Sequence, residues 1–568
     1  MKSKIIRIIP RKFRRRAIGV TLSIFLRALL NFIGLAMLVP VLVLILDADN
    51  IHQNQWLDWL YSVGGFSSES RFAMAVCGGV VAIIAIKCLL SLALFKVERN
   101  FTFDLYHYLS HRLYTTYHNR GMAFIKDNNS AVLTRNVNVV SLTFVTGILK
   151  PIASIASEAL LFVMLFVSMA IYNPMVAALV VAIFLPATLI YYYLVRRRLN
   201  NYGTEENRAH RDKARCVSET FRGYADIEIN NAFPKMLDQF EQAQRRIISL
   251  RSKNDTIATL PQMFTEVGLA VGMAIMVAAA LGSKGGDMQL LFGIFAVAAV
   301  RLMPSVRSIM SGWSAIKYNL YTIDILADAD INDKEQPVTN SSAERMPFKE
   351  AIEVRGVGFR FDDRRGDKEI FRDLNMTIRK GERVGIRGAS GAGKTTLFNL
   401  LLGFYAPTAG EILIDGTPLD ESNRRRWQNS IGYVSQGVFI TDGSLLENVA
   451  FGIASDKIDR ERATEALKAA DMGDFIASLP DGIDSKIGEG GCRLSGGQRQ
   501  RIGIARALYK QAEILFFDEA TSSLDSQTEE NINRSIEAIS ANNKELTIVV
   551  IAHRESSLEY CDRIITID

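Results

Sequence analysis

Residues 388–395 read Gly-Ala-Ser-Gly-Ala-Gly-Lys-Thr, a glycine-rich loop closed by a lysine and a hydroxyl. The loop follows the strand-like run Arg383–Ile386 and precedes the helix-like run Thr396–Leu402, the setting that a phosphate-binding loop requires. Glycines let main-chain N–H groups close around phosphate oxygens, and a helix N-terminus favours their negative charge. Gly388, Ser390, Gly391, Gly393 and Thr396 would surround the phosphates. Lys394 would pair with the β and γ groups, and the Thr395 hydroxyl would reach Mg²⁺. Downstream, the apolar strand Ile514–Phe517 ends in Asp518 and Glu519. Asp518 is suited to holding Mg²⁺ and Glu519 to polarising an attacking water. An isolated Asp-Glu at a strand end is usually a solvated turn; the phosphate loop upstream gives this pair its chemical meaning.

Between these two motifs lies Leu494, Ser495, Gly496, Gly497 and Gln498, running into the basic and apolar stretch Arg499–Arg506. At this point the sequence resembles the ABC transporter family, whose signature this is. The resemblance implies further roles. Gln436 is similar to the glutamine that contacts Mg²⁺ and senses a membrane domain, and Gly488 with Glu489 resembles the exporter loop that precedes the signature. Asp525 resembles the acid of the loop after the strand, and His553, following the apolar run Thr547–Ala552, the histidine at the γ-phosphate. Phe361 takes the place where a tyrosine commonly stacks on adenine, and its ring face can still do so. The family's nucleotide is ATP with Mg²⁺. In that family the signature of one subunit completes the site over the phosphate loop of the other. One chain here carries one intact copy of each, so a homodimer with Ser495 and Gly497 reaching across is expected.

These motifs occupy the second part of a chain too long for one core, at 568 residues. Hydrophobic residues make up 49 % of it, and the mean hydropathy of +0.12 is high for a soluble protein. The apolar residues cluster in six stretches, about 17–46, 72–96, 151–173, 174–195, 261–282 and 289–312, each long enough for a membrane helix of about 20 residues. The first is too long for a cleaved signal peptide and no small-residue cleavage site follows it. Residues 1–16 carry Lys2, Lys4, Arg7, Arg11, Lys12, Arg14, Arg15 and Arg16 and no acid, which places the N-terminus in the cytoplasm. Loop 47–70 is acidic and should face out, with a short interfacial helix around Trp56 and Trp59. Tyr172–Pro174 and Lys284–Asp287 read as external turns. The longer connections, 97–150 and 196–260, keep helical spacing, so helices should continue into the cytoplasm. Short crossing helices at Phe124–Arg135 and Ser218–Asn230 would cap them and touch the ATPase domain.

The expected organisation is a basic N-terminus at 1–16, a six-helix membrane domain at 17–320, a linker at 321–350 and a nucleotide-binding domain at 351–568. The fold class is an α-helical polytopic membrane domain joined to an α/β phosphate-loop ATPase. Fusion of the two with long cytoplasmic extensions resembles exporters of the inner membrane. The net charge of +6 sits beside apolar runs, pointing to lipid partners and not to nucleic acid. Cys77, Cys88, Cys216, Cys492 and Cys561 show neither disulfide nor zinc spacing and read as reduced thiols.

Ionisable residues inside spans cost roughly 2.5–3.5 kcal/mol each, so Arg27, Lys87, Glu158, Glu266, Arg301 and Arg307 should face a cavity or a partner, or snorkel. A surplus of cations would suit an anionic head group. Residues 301–305, Leu260 and Pro261 leading to Glu266, Leu38–Pro40 and Asp442–Asn448 resemble bacterial lipid-linked oligosaccharide flippases. By that similarity Lys87 and Arg301 line a basic path for the pyrophosphate, with Arg307 nearby, although Gln262 stands where those proteins carry a basic residue. A lipid-linked substrate is therefore expected. The rivals are a lipid-A, multidrug or peptide exporter and, from another class, a nucleotide-gated channel or non-transporting regulator. The chain closes at Asp568, one strand after His553 and short of where the family normally continues, so a longer parent chain is expected.

Overall fold

A computed structural model describes the chain apart from residues 1, 38–54, 67, 173, 283–286, 330–343, 362–368, 520–525, 553 and 568. Within some helices only the backbone is described, notably at 279–282 and 287–301. The chain divides into two units, Met1–Gln336 and Pro337–Asp568.

The first unit is helical. It comprises α1 (Lys2–Ile8), α2 (Arg11–Ala36), α3 (Gln55–Gly64), α4 (Glu69–Asn119), α5 (Gly121–Asp127), α6 (Ser130–Arg135), α7 (Lys150–Tyr172), α8 (Pro174–Arg222), α9 (Tyr224–Ile229), α10 (Phe233–Gly282), α11 (Asp287–Tyr318) and α12 (Tyr321–Asp328). Two π-helical turns, Asn136–Val140 and Val145–Leu149, join α6 to α7. The 51 residues of α4 span roughly 75 Å at 1.5 Å per residue, far beyond a hydrocarbon core of about 30 Å. Such helices must extend into water at one end, as the mixed composition of 97–150 and 196–260 requires. Among the described residues, Arg11–Ala36, Ser70–Asn119, Ser130–Ile171 and Phe233–Ile275 are long and apolar enough to cross a membrane. A fifth span is added if the segments Val180–Tyr193 and Arg198–Arg222, bent by 43°, count together. The sixth expected span falls on α11, much of whose side-chain placement lies outside the described residues, as do the turn at 283–286 and the end of the first span.

Several boundaries differ from the sequence reading. The basic N-terminal run is helical over Lys2–Ile8 and again from Arg11, and packed: Ile8 and Phe13 are buried with Leu105, Ile323 and Leu326. The linker expected from 321 begins as α12, because that short amphipathic helix closes the same core. Met346 and Phe348, at the other end of the expected linker, are buried in the second unit. The first crossing helix is two helices, since the Asn129 side chain accepts the Ala131 N–H and caps a fresh start. The second begins later than expected, at Tyr224 after a non-helical Gly223. Gly203 of α8 passes so close to the end of α11 that a Cβ would lie 1.7 Å from the Tyr318 carbonyl oxygen.

Among the described residues, the second unit has two sheets. An antiparallel one has the order β2–β1–β4–β5, with β1 at Ala351–Arg360, β2 at Glu369–Arg379, β4 at Ala409–Ile414 and β5 at Thr417–Pro418. A parallel one has the order β6–β7–β8–β3–β9, from Ile431–Val434, Ile514–Asp518, Thr547–Ile551, Arg383–Gly388 and Arg563–Ile567. Every residue of β7 and β8 is buried, which explains their unbroken apolar runs. The helices that matter below are α13 (Lys394–Leu401), α14 (Arg424–Ser430), α15 (Leu445–Val449), α16 (Arg460–Ala469), α17 (Gly496–Tyr509) and α18 (Ser526–Asn542).

Candidate nucleotide-binding site

The glycine loop leaves the C-terminal end of β3, which β8 and β9 flank in parallel, and turns into α13. Its glycines are required for two separate reasons. At Gly388 a Cβ would fall 2.4 Å from the Ile567 carbonyl oxygen. Gly391 and Gly393 hold φ of 88° and 92°, a left-handed conformation that costs glycine little. On the open side nothing lies within 4 Å of where a Gly391 Cβ would stand. Lys394 is buried and curls back, its ammonium donating to the carbonyls of Gly388 at 2.9 Å and Ala389 at 3.0 Å. Ser390 and Thr395 are exposed and Thr396 is half-buried. The result is a closed ring of backbone at a helix N-terminus, with one face open to an anion.

Asp518 ends β7 in a buried position, and the Tyr433 hydroxyl of β6 donates to it at 3.3 Å. Burial first, then the Asp518 charge, pushes the Tyr433 phenol far above its ordinary range, so it stays a donor. Glu519 follows in the left-handed region at φ 50°, its N–H donating to Ile551 at 3.0 Å. A non-glycine residue there stores strain that the neighbouring strands sustain, a feature common at functional sites. The Gln436 side-chain amide donates to the Glu519 carboxylate at 3.2 Å. The structure thus brings Asp518, Glu519 and Gln436 together from two adjacent strands.

The signature forms the start of α17. Ser495 caps it in a reciprocal box, with the Ser495 N–H donating to the Gln498 side-chain oxygen at 2.8 Å and the Gln498 N–H to Ser495 Oγ at 3.2 Å. Gln498, expected among the nucleotide contacts, therefore has its side-chain oxygen engaged in the cap. Ser495 is exposed, Gly496 half-buried and Gly497 buried. Phe361 stands exposed at the end of β1, edge-on to Phe359 at 5.0 Å and to Tyr405 at 5.5 Å. His553 and Asp525 lie outside the described residues.

Three residues that sequence reasoning passed over belong to this site. Buried Gln500 donates to the Gln436 carbonyl at 2.8 Å, tying the signature helix to the glutamine loop. Arg506 donates to Asn448 at 2.9 Å and Phe439 at 3.1 Å, and burial lowers its guanidinium to about 10. Glu529 of α18 is buried and accepts from Arg554 and, at 2.5 Å, from Ser557 in the segment that follows β8. The available signal for Gln500 was its place on the helical face of Gly497, Ile504 and Ala507, at spacings of three and four, where a polar residue is buried among apolar ones.

The ABC transporter profile matches residues 371–522, which include the phosphate loop, the signature and both acids. An ATP-dependent lipid A-core flippase of Bordetella avium (strain 197N) is 31 % identical over 429 residues, 75 % of this chain and 71 % of that protein. This chain belongs to the ABC transporter family. A flippase of the same description from Burkholderia pseudomallei (strain 1710b) is 32 % identical over 397 residues, 69 % of this chain. The chain spans 64 % of that relative's length. A structure described as a bacterial Atm1-family ABC exporter with ATP bound superposes with a TM-score of 0.74 at 24 % identity, covering 98 % of this chain and 93 % of that one. The architecture is accordingly the ABC exporter fold, a helical membrane half followed by an ABC ATPase domain.

Three of the six ionisable residues expected in the spans, Arg27, Glu158 and Glu266, have polar partners. Arg27 pairs with Glu98 at 3.2 Å across α2 and α4. Ser305 donates to Glu158 at 2.6 Å, and Gln262 to Glu266 at 2.8 Å. The Lys87 stem lies against Gly34 of α2, 3.3 Å from where a Cβ would stand. Arg307 is exposed, and the Arg301 side chain lies outside the described residues.

Proposed function

We propose that the chain hydrolyses ATP as a homodimer and uses the cycle to flip a phosphate-bearing, lipid-anchored glycan across a bacterial inner membrane. One observation carries this reading: a single chain joins a closed phosphate loop, backed by Asp518, Glu519 and Gln436, to apolar helices of membrane-spanning length. The open face of the loop, the buried carboxylate of Asp518 and the exposed Thr395 hydroxyl fit a magnesium nucleotide. That cation takes most of its ligands from phosphates and water and needs few from protein.

In this reading Phe361 stacks on the base, while the loop N–H groups and Lys394 hold the phosphates. Asp518 and Thr395 would hold Mg²⁺, which would supply positive charge beside the transferred group. Glu519 orients and polarises the water, and Gln436 donates to Glu519 and so registers movement of its own loop. Ser495 and the following glycines cover the nucleotide of the second copy, and His553 meets the γ-phosphate. ATP closes the pair of ATPase domains and hydrolysis reopens it, a two-state element able to drive the membrane helices.

The substrate class follows from the relatives, which are named lipid A-core flippases, and from Lys87, Arg301 and Arg307 as a basic path. Lipid-linked oligosaccharides are the second candidate, since they too are lipid-anchored glycans that carry phosphate. Proteoliposomes holding the purified chain decide between them. ATP-dependent loss of lipid A-core from the donor leaflet supports the first, and movement of only a lipid-pyrophosphate oligosaccharide supports the second. Movement of neither, or material that stays monomeric with ATP bound, refutes the proposal.

A further inference from the structure

Strand β6 and the residues just after it supply a donor to each of the two acids at the end of β7. The two strands run parallel, with Tyr433 beside Phe516 and Val434 beside Phe517. The Tyr433 hydroxyl donates to Asp518 Oδ2 at 3.3 Å, and three residues on, the Gln436 amide donates to Glu519 at 3.2 Å. The amide belongs to a motif legible in the sequence. The phenol belongs to none.

Packing does not account for that phenol. Ile431, Gly432 and Val434 are buried, whereas Tyr433 is the exposed residue of β6. At 37 % exposure it lies in neither buried cluster of the domain, and it lines a groove of about 540 Å³ with Phe404, Phe451 and Arg506. A phenylalanine would cover the same surface. What the hydroxyl adds is its bond to a carboxylate whose residue is 6 % exposed.

That bond acts on the freedom Asp518 has left. Its backbone is fixed by pairing with Ile551 of β8, but the terminal torsion of an aspartate is broad and two-fold. A carboxylate offers two oxygens and about four lone-pair sites, so one phenol donor and one cation can share it. Groups that bond a metal-holding carboxylate from behind orient it, and removing them typically costs about 10–100-fold in metal affinity.

We propose that Tyr433 is a positioning residue for magnesium: its hydroxyl holds the Asp518 carboxylate in the orientation that takes the cation of the bound nucleotide. The assignment rests on the reading of Asp518 as the magnesium-holding acid and is independent of what the chain transports.

The test titrates Mn²⁺, a visible stand-in for magnesium, into the full chain carrying one equivalent of a non-hydrolysable ATP analogue. Free Mn²⁺ is read by electron paramagnetic resonance. Tyr433→Phe, which keeps the ring and removes the hydroxyl, should bind Mn²⁺ about tenfold more weakly, the low end for losing such a partner. Its affinity for the analogue in EDTA should stay nearly unchanged, a readout that a merely structural role would move. Asp518→Asn should lose at least as much Mn²⁺ affinity. If Asp518→Asn binds Mn²⁺ as the wild type does, the reading of Asp518 fails and the assignment falls with it. If Asp518→Asn is weakened and Tyr433→Phe is not, the assignment alone is overturned. An equal loss of analogue affinity in EDTA overturns it too, by making Tyr433 a residue that shapes the whole site. Tighter Mn²⁺ binding by Tyr433→Phe would make the phenol a competitor of the cation, which is the opposite role.

Discussion

Replacing Gln500 by methionine removes an amide donor while keeping the length of the side chain. Gln500 is 4 % exposed, and its amide reaches the Gln436 carbonyl at 2.8 Å and, more weakly, the Ser435 carbonyl at 3.4 Å. Losing such a bond in a buried place costs about 1–3 kcal/mol once the carbonyl left behind is counted. Taking about 2 kcal/mol, and tenfold for every 1.4 kcal/mol, the ordered position of the glutamine loop becomes up to about 30-fold rarer. Gln436 also holds Glu519, so the loss should fall on turnover. Phe361 and Lys394 are untouched, so nucleotide affinity should stay nearly constant. Steady-state ATPase rates of the reconstituted chain, with nucleotide binding measured separately, read the two effects apart. A kcat within twofold of wild type would refute the reasoning. So would a matching loss of affinity and melting temperature, which would make Gln500 a packing residue only.

Glu519→Gln should retain ATP, trap the closed dimer and slow hydrolysis by about 10²-fold or more, the scale of a lost general base; wild-type hydrolysis would remove the water-polarising role. Glu529→Ala strips the buried acceptor from Arg554 and Ser557. At about 2 kcal/mol it should lower the melting temperature of the ATPase domain by roughly 4–8 °C, and a shift below about 1 °C by calorimetry would show that the contact contributes little. Lys87→Ala with Arg301→Ala should abolish stimulation of ATPase by a phosphate-bearing glycolipid, and unchanged stimulation would end the basic-path idea.

Much of this protein is local and hence legible without a fold. Although Gly388 is required by Ile567 from a distant strand, the left-handed glycines Gly391 and Gly393 of the phosphate loop, the capping pair Ser495 and Gln498, and the apolar strands ending in Asp518 or preceding His553 are legible from residues a few positions away. The same holds for membrane helices, because twenty apolar residues in succession leave the backbone little choice in lipid. Helix ends were harder to read. The starts of α2, α6 and α9 were set by Phe13 finding a core, by the Asn129 cap and by Gly223.

What tertiary structure alone decided are the partners of polar groups far apart in sequence. Gln500 meets Gln436 from 64 residues away, Tyr433 meets Asp518 from 85, and Lys12 reaches Tyr108 from a different helix. A buried polar side chain must find a partner somewhere, so composition shows that one is needed. Which partner it finds is set by strand order and helix packing. The order β6–β7–β8–β3–β9 places Gln436 beside Glu519, and no spacing along the chain encodes that adjacency.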